Sequence, residues 1–71
     1  MQFLVVKYAG NNCGVIIDGV TGEWVTNHLL QLGAGPHDVT LNKPPGTFSP
    51  PRQQINLYAT SPHNPLVVAF T

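Results

Sequence analysis

The sequence predicts a small all-β domain, an antiparallel β-sandwich of about six short strands. Three observations predict it. Turn-forming residues recur roughly every 8–12 positions, the segments between them are rich in β-branched and aromatic residues, and no segment carries a helical apolar period. Seventy-one residues suffice for one domain, here 1–71, and for little beyond it.

Phe3 to Tyr8 reads FLVVKY, with no helix cap before it, and predicts a strand. Gly10-Asn11-Asn12-Cys13-Gly14 is a run of residues that tolerate left-handed φ, and Val15-Ile16-Ile17 is a second strand, so the two read as a hairpin. Asp18-Gly19 between apolar residues is a strong short-range turn signal. Glu23-Trp24-Val25-Thr26 predicts a short third strand. Asn27 is a possible helix cap, but only one turn of helix fits before Gly33, which is too short to be stable. The leucines of that stretch are expected to tuck under the sandwich, and Gly33-Ala34-Gly35-Pro36 to reverse the chain. His37, Val39 and Leu41 then alternate with Asp38, Thr40 and Asn42, a half-buried fourth strand.

Asn42 to Gln54 holds four prolines in thirteen positions, which excludes a helix interior or a central strand and predicts an extended loop. Ile55, Leu57 and Ala59 alternate with Asn56, Tyr58 and Thr60 in a fifth strand, and Ser61 to Pro65 is a turn. Leu66 to Phe70 is apolar throughout, which predicts a last strand buried on both faces or paired with another chain.

Composition narrows the function. Charged residues make up 8% of the chain, against about 25% in average domains, and three cations balance three anions. Three basic residues leave no footprint for a phosphate backbone, so no nucleic-acid partner is expected. Near-zero net charge favours self-association or a protein partner. No apolar run approaches the ~18 residues of a membrane span, and the opening Met1 to Lys7 has no signal-peptide pattern. The expected location is the cytoplasm if the chain is complete, and the cell surface or periplasm if it is cut from a longer protein.

Ile17-Asp18-Gly19, Gly22, Leu30, Leu32-Gly33-Ala34-Gly35, His37, Val39 and Leu41 form a pattern that resembles the PEGA domain family. The pattern covers Val15 to Leu41. It departs from the family where Trp24-Val25-Thr26 replaces a Thr-Pro, and where one residue is inserted between Gly33 and His37. The resemblance implies a small bacterial β-sandwich module with an accessory or interaction role and no enzymatic activity.

No catalytic constellation emerges from the residues, and no cofactor or metal is expected. His28, His37 and His63 lie in separate segments without metal-ligand spacing, and Cys13 is the only cysteine, with no cation beside it in sequence. Asp18 is accounted for by its turn, His37 by the start of its strand and Asp38 by an outer face. Neither Ser49 nor Ser61 sits in a nucleophile elbow, and Pro36 spoils Gly33-Ala34-Gly35 as a phosphate loop. The residues singled out for partner contact are Trp24, Phe48, Arg52 and Tyr58. The expected function is a non-catalytic binding or assembly module acting through protein–protein contacts and self-association. The alternative is a carbohydrate- or cell-wall-binding module that uses exposed aromatics.

Overall fold

A computed structural model describes residues 1–71. Seven strands and no helix build two sheets: β1 (Gln2–Tyr8), β2 (Gly14–Ile17), β3 (Val20–Val25), β4 (Leu29–Leu32), β5 (Gly35–Leu41), β6 (Gln53–Leu57) and β7 (Leu66–Phe70). One sheet has the order β4-β1-β7, the other β3-β2-β5-β6. Alternate residues of both sheets meet in a single core. Leu4, Val6, Leu30, Leu32, Val68 and Phe70 come from the first sheet, and Val15, Ile17, Val39, Leu41 and Leu57 from the second. This is the small all-β sandwich that punctuation and alternation predict.

The β2–β3 hairpin follows directly from its sequence. Asp18 and Gly19 both have positive φ, 53° and 78°, and Ile17 pairs with Val20. Such a two-residue loop matches the twist of its strands, and aspartate and glycine tolerate the left-handed region best. Gly35, at φ 118°, is the second position where glycine is required, and it opens β5. Pro36 is tolerated in β5 because the first half of that strand pairs only with β6, while β2 pairs from Val39 onward.

Several expectations need correction. The segment 10–14 does not close a hairpin: β1 pairs with β4 and β7, β2 with β3 and β5, so this loop crosses between sheets. A seventh strand, β4, occupies the stretch read as a crossing segment. Leu30 and Leu32 point inward, Leu29 and Gln31 outward, and three leucines in four positions hide that alternation. Asn27 caps no helix. At φ 63° it donates its backbone N–H to the Val6 carbonyl (2.7 Å), and its side-chain amide brackets Tyr8, accepting from the N–H (3.1 Å) and donating to the carbonyl (3.0 Å). It thereby continues the β4 ladder one step with a side chain. The fifth predicted strand starts two residues earlier, at Gln53, and ends three residues earlier, at Leu57, before Ala59 turns to φ 56°.

The last strand departs most. β7 runs parallel to β1, beside a sandwich otherwise antiparallel, and it is an edge strand rather than an internal one. Only one of its faces is buried, since Val67 and Ala69 are exposed. Its open edge is strapped by the Pro-rich loop of the same chain. Ser49 and Thr71 exchange backbone hydrogen bonds at 2.6 and 2.8 Å, Gln53 Nε2 donates to the Ala69 carbonyl at 2.7 Å, and Phe48 packs edge-on against Phe70 at 5.8 Å. The loop thus covers the C-terminal end of this edge, at Ala69 and Thr71.

Candidate functional site

Asp18, His37 and Asp38 of the second sheet meet at one corner. Asp18 leaves the β2–β3 turn with its carboxylate aimed at the start of β5. Oδ1 accepts the Asp38 N–H at 2.8 Å, and the Asp18 N–H donates to the Asp38 carbonyl at 2.8 Å. Oδ2 lies 2.7 Å from Nδ1 of His37, whose Nε2 lies 2.8 Å from the carbonyl oxygen of Gly33. Gly33 belongs to the connection that carries the chain from β4 in one sheet to β5 in the other. Three segments are therefore tied through one imidazole.

The electrostatics follow from these contacts. The Asp38 N–H, then the His37 ring, holds the Asp18 carboxyl below its ordinary value. The Gly33 carbonyl, then the Asp18 carboxylate, holds the His37 proton above its ordinary value against the opposing effect of burial. Both ring nitrogens face oxygens that only accept, so the geometry is satisfied fully by an imidazolium. Such a ring has no free nitrogen with which to take a proton from a substrate, although Asp–His contacts serve that end elsewhere.

Beside the pair lies a shallow open depression of about 250 Å³ bounded by Asp18, Pro36, His37, Asp38, Gln54 and Ile55. It presents carboxylates and an amide around one half-buried isoleucine and has none of the enclosure of a small-molecule pocket. No family model, curated protein or solved structure matches this chain.

The other residues singled out by sequence are scattered. Trp24 is half-buried and packs against the core, its ring folded over Gly22 so closely that a Cβ there would lie 3.1 Å from it. Tyr58 follows β6 and is 66% exposed. β3 and β6 are the two outer strands of their sheet, three strand spacings or about 14 Å apart, so Trp24 and Tyr58 share no ring-stacking platform. Phe48 serves the strap on β7, and Arg52 is exposed without an ion pair. Cys13 is half-buried, and its backbone, not its thiol, is engaged, through Thr26. His28 Nδ1 meets the Thr26 carbonyl at 2.8 Å. No three of the histidine, cysteine and acidic side chains are grouped as metal ligands would be.

The feature that sequence reasoning missed is the outer face of the three-stranded sheet. Val5 lies in register with Leu29 on one side and Val67 on the other, one apolar row across all three strands. Leu29 and Val67 are 46% and 55% exposed. Phe3 precedes the row on β1, and Ala69 follows it on β7. Lys7 is the only charged residue in these three strands, and Gln31 is the polar residue on the β4 side of this face.

Proposed function

We propose that this domain is a non-catalytic binding and assembly module that self-associates through the outer face of its three-stranded sheet. The row Leu29–Val5–Val67 carries this reading. Its two ends, Leu29 and Val67, are exposed on either side of half-buried Val5, and contiguous apolar surface with a polar margin is what protein contacts use, whereas isolated exposed apolar residues are ordinary. The chain carries no net charge, and Lys7 is the single charged side chain on this face. The likeness of Ile17-Asp18-Gly19, Gly33 and His37 to the PEGA pattern implies the same accessory role.

The size of the face sets the strength. Three strands ~4.8 Å apart and about five residues ~3.3 Å apart cover roughly 250 Å². A stable dimer buries about 800 Å² per partner, so this contact is weak and concentration-dependent. Sedimentation velocity on the native chain should show reversible dimer at high micromolar to millimolar concentration. The double variant Leu29→Lys, Val67→Lys should stay monomeric there, with an unchanged far-UV circular dichroism spectrum. A native chain that is monomeric throughout, or a double variant that dimerises equally, would end the proposal.

A further inference from the structure

We propose that His37 works as a pH-sensitive latch, holding the β4–β5 corner to the β2–β3 turn while its ring is doubly protonated and releasing the corner when the ring is neutral. The geometry leaves a neutral ring no way to keep both contacts. A neutral imidazole has one N–H, and both oxygens around His37 are acceptors. The proton stays on Nδ1, which faces the ionised carboxylate of Asp18 at 2.7 Å. Nε2 then presents a lone pair to the Gly33 carbonyl oxygen at 2.8 Å, and the two repel.

The corner is free to respond. Gly33 and Ala34 are exposed, and a Cβ built on Gly33 would meet nothing within 4 Å. The surroundings offer no substitute cation. The turn contributes Asp18, β5 contributes Asp38 beside His37, and facing β6 offers only uncharged Gln54 and Ile55 around the His37–Ile55 pair. No lysine or arginine reaches the ring.

The pH window follows from the directions of the shifts. The His37 contribution is complete below the ordinary histidine value of 6.5 and is lost as pH rises through the higher folded value. The Asp18 contribution is complete above 3.8 and is lost as pH falls through the lower folded value. The latch is closed between those two values and opens on the alkaline side.

The experiment is an NMR titration of the native chain. The His37 ring nitrogens should titrate with a midpoint above 6.5, the neutral form should carry its proton on Nδ1, and the Gly33, Ala34 and Gly35 amide shifts should move with the same midpoint. Asp18→Asn should lower that midpoint, and His37→Phe should flatten the pH dependence of the corner amides. A midpoint at or below 6.5, a neutral form protonated on Nε2, or corner amides that stay fixed through the ring titration would overturn the latch. Each of these is read on the native chain, so the result stands even if a variant fails to fold.

Discussion

Leu4→Ala is expected to unfold the domain. Leu4 is fully buried at the centre of the middle strand of its sheet, in register with Leu30 on β4 and Leu66 on β7. Removing a buried leucine side chain costs about 2–5 kcal/mol, because apolar contacts are lost and the cavity closes only partly. A single core in a chain below ~70–80 residues supplies about 3–5 kcal/mol in all. The two magnitudes are comparable, so the variant should lose amide dispersion and its cooperative melt at 25 °C. The neighbouring Val5→Ala is the control: Val5 lies on the opposite, outer face and should cost far less. A Leu4→Ala chain that still melts cooperatively, within about 5 °C of the native midpoint, would show the core to be redundant at this position.

Thr26→Val is expected to give the second-largest loss, for a different reason. Thr26 is the only fully buried polar residue. Its N–H donates to the Cys13 carbonyl at 2.9 Å, and its hydroxyl oxygen accepts the Cys13 N–H at 3.0 Å. Cys13 ends the crossing from β1 to β2, and Thr26 begins the crossing from β3 to β4, so this double bridge pins both inter-sheet connections at one end of the sandwich. Valine has nearly the same shape but leaves the Cys13 N–H without its acceptor, at a cost of about 1–3 kcal/mol. At roughly 4–8 °C per kcal/mol for a domain of this size, the melting midpoint should fall measurably. Hydrogen exchange at the Cys13 amide should speed up, while Thr26→Ser, which keeps the hydroxyl, should preserve its protection. Equal protection in Thr26→Val and Thr26→Ser would show that the hydroxyl contributes nothing.

Individual residues show how far the sequence could be read. The alternation of Val39 and Leu41 against Asp38 and Thr40 is an intrinsic period of two, and it places a strand and its inward face correctly. Leu29 to Leu32 has the same period, but apolar residues on both faces conceal it. The reason both faces are apolar is visible only in three dimensions, where Leu29 joins Val5 and Val67, 24 and 38 positions away along the chain (29 − 5 and 67 − 29). The candidate site shows the same limit. Asp18 was legible as a turn residue and His37 as a strand start, but nothing local indicates that residues 19 positions apart share a hydrogen bond. Trp24 and Tyr58 looked alike as aromatics in short β segments, yet one lies on the core and the other in solvent.

The loop from Gly10 to Gly14 sharpens the point. Its glycines and asparagines permit a reversal, and the same composition serves a hairpin or a crossing between sheets equally well. The choice is made elsewhere, by Asn27 engaging Tyr8 and by the Thr26–Cys13 bridge.

Short-range sterics and side-chain alternation were therefore enough to specify most of the strands, though not β4, together with the Asp18-Gly19 turn, the Pro-rich loop and the all-β class, because these depend on φ preference and on which face is apolar. The sheet to which each strand belongs, the parallel β1–β7 pair, the strap over the β7 edge and the His37 corner arose only on folding. They depend on how two apolar faces are buried against each other at once, and a period of two says which way a side chain points without saying which strand lies beside it.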